Sequence, residues 1–355
     1  MKIDIFAHFM PEKYYQALLK QMGGTYPTAE SNRGIIDLNL RLKLLDKYQV
    51  KEILVPTGPP PEAIASAEKS PELARIFNDS MAEIVMKHPD YFPGAVAMLP
   101  TNNIEAALAE IDRAIKDLKF KGIYVYTPQF IYEENQSAPA SVKKDGPLIK
   151  GHTVGNLPKQ THPIDTPDLM RIYEKMAQYD LPIWIHPRTS PAFADYSVES
   201  ASKYRVWQIF GWPYQSTIAM TRLVFSGIFD KCPNIKFIAH HAGAMVPIYE
   251  DRIKAAYDYD EMFGGTLKQC LKKDPVDYFR MFYTDTAVNG NTPALMAAHS
   301  FFNPGHLLFG TDTPHDKDSG ESSVKDTILS IERMNVTETE KRAIFEDNVK
   351  NLLHL

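Results

Sequence analysis

Lys2-Ile3-Asp4-Ile5-Phe6-Ala7-His8-Phe9-Met10-Pro11 opens this chain of 355 residues. It is a short apolar run closed by a turn signal, which predicts a strand over Lys2–Phe6 with His8 just past its end. A histidine at the carboxyl end of the first strand of a parallel α/β barrel stands at the mouth where such folds gather their functional groups. Working outward, similar runs predict strands at Glu52–Pro56, Phe92–Met98, Phe120–Val125, Pro182–His186, Ile235–His240, Met281–Thr284 and Leu307–Gly310. They are short, apolar on both sides and mostly separated by segments of helix length. That alternation points to parallel strands with crossover helices rather than an antiparallel sheet. Eight of them predict an α/β fold, a closed (β/α)8 TIM barrel, and the length suits a single domain over 1–355 with insertions.

The helical segments carry their own marks. Leu38, Leu42 and Leu45, with Leu44 beside them, line one face over Leu38–Tyr48. Pro71–His88 and Ile104–Leu118 repeat the pattern, the second with Asn102 or Asn103 placed as N-cap. Asp168–Tyr179 leads into the fifth strand, and Thr337–Leu353 closes the chain with Thr337 and Glu340 spaced as a capping box. Two stretches interrupt the alternation. Residues 127–167, after the fourth strand, are polar and have no clear period, so an insertion over the barrel mouth or a tolerated surface loop is expected. Residues 195–229 are rich in aromatics, among them Tyr204, Trp207, Phe210, Trp212 and Tyr214, and predict helices lining a pocket or a subunit interface.

Composition excludes several function classes. A net charge of −5 gives no electrostatic reason to expect nucleic acid or an anionic membrane surface. No apolar run approaches the ~20 residues that a membrane span needs, and the amino terminus shows no secretory pattern. Two cysteines, Cys232 and Cys270, predict no disulfide framework. The expectation is a soluble protein of the cytoplasm.

His8, His186 and Asp312 each fall at or just after a predicted strand end, the face where a parallel barrel collects chemistry. Imidazole with carboxylate is the usual donor set for Zn²⁺ or Mn²⁺. A lone buried histidine is more often a hydrogen-bonded core residue, so the common placement is what counts. His88, His152, His162 and His354 lie elsewhere and receive no role.

Asp4-Ile5-x-x-His8, Ile185-His186-Pro187, Ala239-His240-His241-Ala242-Gly243-Ala244-Met245-Val246-Pro247 and Phe309-Gly310-Thr311-Asp312-Thr313-Pro314 occur in an order that resembles the amidohydrolase superfamily. The branch they look most like holds the decarboxylases of aminocarboxymuconate semialdehyde, γ-resorcylate and carboxyvanillate. The resemblance covers nearly the whole chain outside 127–167. It implies a barrel of the metal-dependent-hydrolase type, a homodimer, and a divalent metal, Zn²⁺ or Mn²⁺, on His8, His186 and Asp312. It makes His241 the histidine that handles a proton or orients the metal-bound water, with Asp312 as the other proton carrier. His240 is then open to reading as the last core residue of its strand. It matches Arg41 and Arg252 to arginines that meet substrate carboxylates, Arg252 from a neighbouring subunit. Arg188 and Phe9 join them as substrate contacts, since a planar bidentate guanidinium suits a carboxylate and the aromatics suit a planar ring.

Phe6 departs from the pattern. In the family the residue at that position binds the metal, and a phenyl ring cannot. Three protein ligands and a water still make an open catalytic site. His315 is an extra group near the mouth, Asp285 a supporting acid, and Glu12 a further group that could approach the site from the first loop. The implied reaction is decarboxylation of an aromatic or unsaturated acid without an organic cofactor. The alternatives are a metal-dependent hydrolase or hydratase built from the same parts, and a non-catalytic relative that lost its metal with Phe6.

Overall fold

The computed structural model of the chain describes residues 1–22, 24, 26–131 and 161–355. Its strands, in chain order, are β1 (Lys2–Phe9), β2 (Val50–Pro56), β3 (Gly94–Ala95), β4 (Ala97–Met98), β5 (Ile123–Thr127), β6 (Gln129–Phe130), β7 (Thr161–His162), β8 (Ile183–Pro187), β9 (Phe237–Ala239), β10 (Tyr283–Asp285) and β11 (Leu307–Leu308). β3 and β4 are two pieces of one rung, divided at Val96. One piece pairs with β2, the other with β5, and every pairing around the ring is parallel. First and last strands are stitched together by Ile5 N–H to Phe309 O (2.9 Å), Asp312 N–H to Phe6 O (3.1 Å) and His8 N–H to Thr313 O (2.7 Å). The eight-rung barrel anticipated from the sequence is therefore present.

The strand period of two sorts the side chains into two cores. Ile53, Val55, Val96, Tyr124, Trp184, Ile238 and Leu308 point inward and pack with Phe6. Leu54, Ile123, Val125, Ile183, Ile185, Phe237, Ala239 and Phe309 point outward against the helices. Val349, Leu352 and Leu353 of the last helix join the inner group. Each large side chain removed from water in this way is worth ~1.5–3 kcal/mol, so the inner cluster fixes the barrel against many alternatives.

Helix ends follow the local chemistry. Asn103 caps Ile104–Lys116 by accepting from the Ala106 amide, and Thr337 with Glu340 forms the expected capping box. The helix they start runs to Leu353 as anticipated, with a wider turn at Ala343–Asp347 between Glu338–Arg342 and Asn348–Leu353. The aromatic stretch contains helices at Val206–Ile209 and Gly211–Phe225. Of the insertion, β6 and β7 pair antiparallel at its base; residues 132–160, with the expectation that they cover the mouth, lie outside the described residues.

Candidate functional site

β1 runs to Phe9, so His8 is within the strand, buried and turned into the barrel. Its Nδ1 lies 2.8 Å from the Pro56 carbonyl, an acceptor that keeps the imidazole proton on Nδ1 and leaves Nε2 with its lone pair. His186, next to last in β8, lies on the inward face beside Tyr124, and the ring centroids of His8 and His186 are 5.1 Å apart. Burial, then the neighbouring imidazoles of His8 and His240, push His186 well below the usual histidine range, so it is a neutral base. Asp312 follows β11 in a left-handed conformation (φ 60°) and brings Oδ1 to 3.1 Å from His8 Nε2.

His240 belongs to this group. It continues the inward face of β9 two residues after Ile238, is wholly buried, and holds Nε2 3.3 Å from Asp312 Oδ1. Its Nδ1 meets Asp285 Oδ2 in a very short contact. One donor atom from each of His8, His186, His240 and Asp312 lies within 4.8 Å of the others. Donors around a tetrahedral Zn²⁺ stand about 3.4 Å apart, given bonds of ~2.0–2.1 Å, so the cluster needs only a small contraction to enclose an ion. His8 Nε2 and His240 Nε2 approach Asp312 without the alignment of a hydrogen bond, and both are buried without another partner. Buried lone pairs short of donors, three imidazoles and one carboxylate fit a divalent cation. Burial opposes charge on His240, but Asp285 and Asp312 outweigh it and lift its imidazole to about 9. To hold a divalent metal, His240 would have to give up that proton.

Asp285 also explains the loop that follows. His241, Ala242, Gly243 and Ala244 all have positive φ, of 63°, 55°, 72° and 56°. Each non-glycine residue in that region costs ~1–2 kcal/mol. Asp285 Oδ1 offsets part of this by accepting from three backbone amides: His241 (3.0 Å), Ala242 (3.2 Å) and Ala287 (2.9 Å). The turn brings the His241 ring over that of His240 and onto the wall of the cavity, 3.9 Å from Asp312 Oδ2. Burial and the adjacent His240 lower the His241 pKa. For Asp312, burial pushes the carboxyl up, but the imidazoles of His240, His241 and His8 overcome it and hold the group well below the usual carboxylate range.

The cavity over these groups measures about 940 Å³. Among the described residues its wall includes His8, His186, His241, Asp312 and His315, the hydroxyl-bearing rings of Tyr26, Tyr124 and Tyr126, the indoles of Trp207 and Trp212, and Arg188. The Arg188 guanidinium lies 5.3 Å from the centroid of the Tyr126 ring.

Three residues expected as substrate contacts are placed elsewhere. Phe9 is adjacent to His8 and so points to the opposite side of β1, into the outer core, 5.8 Å beneath the Arg41 guanidinium. Arg41 is buried between its helix and the barrel, paired with Glu52 (2.9 Å) and donating to the carbonyls of His8 (2.7 Å) and Gly34 (3.2 Å). It braces the strand that carries His8 and does not line the cavity. Arg252 is exposed on the helix Glu250–Tyr259, away from the cavity wall. His240 and Asp285 were the understated pair. Counting by two from Ile238 puts His240 inside, and that signal was available in the sequence.

Residues 3–355 match the amidohydrolase family. The chain belongs to that family. This amidohydrolase is 27% identical over 360 residues to the γ-resorcylate decarboxylase of Polaromonas sp. strain JS666, covering 100% of the chain and 98% of the relative. It is 27% identical over 322 residues to the 6-methylsalicylic acid decarboxylase of Penicillium expansum, covering 89% and 86%. Among solved structures, a dihydroxybenzoic acid decarboxylase from Polaromonas sp. JS666, with bound manganese and the inhibitor 2-nitroresorcinol, superposes with a TM-score of 0.75 at 25% identity over 100% and 97% of the two chains. No helix among the described residues is long and apolar enough to cross a membrane.

Proposed function

We propose that this amidohydrolase is a metal-dependent, non-oxidative decarboxylase of an aromatic acid of the hydroxybenzoate kind, a carboxy-lyase. The observation that carries the reading is a single cavity that joins the metal-type donors of His8, His186 and Asp312 to His241, Arg188 and an aromatic wall. The names of the curated relatives support the same reaction class. We take the metal to be Mn²⁺ or Zn²⁺, the protein to be one barrel domain that acts as a homodimer, and its compartment to be the cytoplasm.

His8, His186 and Asp312 would hold the divalent cation, whose contribution would be Lewis-acid polarisation. Arg188 is the planar cation that receives the carboxylate. Tyr126, Trp207 and Trp212 give the ring apolar surface and keep bulk water from its faces. Decarboxylation breaks the bond between the ring carbon and the carboxylate, leaving the electron pair on that carbon, which must take a proton. Asp312 is held as carboxylate and is a poor acid, so His241 is the better proton carrier, recharged from solvent through the open cavity.

The test is CO2 release from a panel of 2-hydroxybenzoates with Mn²⁺ or Zn²⁺ supplied, expected to yield CO2 and the phenol in equal amounts. Hydrolysis of amides or addition of water, with no CO2 from any acid, would sink the reading in favour of a hydrolase or hydratase. Full turnover after exhaustive chelation, with no metal by elemental analysis, would remove the metal from it.

A further inference from the structure

Residues 6 and 8 of β1 both reach the barrel interior, where Phe6 and His8 have ring centroids 5.6 Å apart. A donor at position 6 would stand beside the cluster, and phenylalanine supplies none. What occupies that space is the Phe6 ring, lying flat on His240 at 3.8 Å between centroids and 12° between planes. The other face of His240 meets His241 at 3.7 Å. Clamped between two rings, His240 is turned at one nitrogen by Asp285 and presents the other to Asp312. Its centroid is 5.2 Å from that of His186 and 6.0 Å from that of His8.

We propose that His240 provides, through Nε2, the fourth protein donor of the metal site in place of residue 6, with Phe6 as the brace that fixes its plane. The inference rests on the reading of the protein as a metal-dependent enzyme. It changes which element completes the site: the end of β9 rather than β1. His240 Nδ1–H would stay hydrogen-bonded to the Asp285 carboxylate, which would orient the ring as outer-shell carboxylates do for metal-bound histidines, and Nε2 would give up its proton to solvent to present a lone pair.

The probe is Mn²⁺ alone, with coordinated nitrogens counted by pulsed EPR on the full-length protein. The wild type is expected to show three, from His8, His186 and His240, and His240→Ala two. Affinity in His240→Ala should drop by more than about tenfold in chelator competition, the loss that removal of even an outer partner brings. His241→Ala and His315→Ala should each keep three nitrogens. Should His240→Ala not fold, these last two variants carry the assignment. Two nitrogens in the wild type, three in His240→Ala, or two in His241→Ala or His315→Ala would overturn the proposal. If CO2 release remains metal-dependent in that case, the functional reading survives it. A wild type that takes up neither Mn²⁺ nor Zn²⁺ overturns both.

Discussion

Phe6 lies on the imidazole of His240 with ring centroids 3.8 Å apart and planes 12° from parallel. Both side chains are wholly buried, so the stack is part of the inner core as well as of the site. Gly310 permits the approach from the last strand, since a Cβ there would fall 2.7 Å from Asp285 Cβ and 3.2 Å from Phe6 Cβ. Phe6→Ala should destabilise the fold by ~3–5 kcal/mol, the usual penalty for emptying a buried aromatic site. Phe6→Glu should lower stability in chelator, where it buries a charge, and recover it when Mn²⁺ is added. Denaturant unfolding of each variant, with and without Mn²⁺, measures both effects. No metal-induced recovery in Phe6→Glu would mean that position 6 does not face the ion.

His241 faces the cavity, unlike His240, and its Nδ1 is buried without a partner. Its removal should leave metal content unchanged and lower kcat by ~10²–10⁴, the range for loss of a positioned proton carrier. Elemental analysis of His241→Ala beside its turnover rate checks this. A parallel loss of metal would make His241 a ligand instead.

The barrel was legible because short apolar runs alternate along the chain with segments of helix length. The runs that lead to His186 and Asp312 mark the mouth. What failed was the reading within strands. Phe9 and His8 are neighbours, so they cannot both face the mouth, whereas Ile238 and His240 are two apart and do share a face. Arg41 is settled by a different kind of contact. Its partner Glu52 faces outward on β2, a pairing between a helix and a strand eleven residues on that periodicity alone does not reveal. The left-handed run from His241 to Ala244 contains only one glycine, and nothing local announced it. It depends on Asp285, more than forty residues downstream.

Arg188 is a cation of the cavity wall, next to Tyr126. Arg188→Met should weaken binding of a carboxylate ligand by roughly 10- to 150-fold, the worth of charge-assisted hydrogen bonds at ~1.5–3 kcal/mol. Arg188→Lys should recover only part, because an ammonium cannot bind a carboxylate in two parallel contacts. Affinity for the phenol product, which lacks the carboxylate, should hardly change. Calorimetric titration with both ligands separates the cases. Equal losses for acid and phenol would place Arg188 in support of the cavity wall.

Arg41 should behave as a structural residue. Removing one member of a buried ion pair strands the other, at a cost of ~3–5 kcal/mol. Arg41→Met should therefore lose stability heavily, and Arg41→Met/Glu52→Gln should regain much of it. In the double variant, affinity for a carboxylate ligand should stay within about threefold of wild type, since charge-assisted contacts are worth far more than that. A loss as large as that of Arg188→Met would restore Arg41 to substrate binding.

Glu62 offers a test through pH. It is wholly buried on the turn after β2, and burial lifts its carboxyl from the ordinary 4.5 to about 7, with the Thr101 hydroxyl and Arg188 offsetting only part. Between those two values the unfolded chain has released its proton while the folded chain still holds it. The folded state binds more protons there, so stability falls as pH rises from about 4.5 to 7. A displacement of that size is worth ~3 kcal/mol at pH 8. Asp4, raised to about 7 by burial and then by Glu52, adds to the same trend. Glu62→Gln keeps the shape and removes the charge, so it should be more stable than wild type at pH 8 and nearly equal at pH 4. Urea unfolding at both pH values gives the difference directly. An unchanged difference between wild type and Glu62→Gln across that window would show that Glu62 ionises in the folded protein as readily as in water.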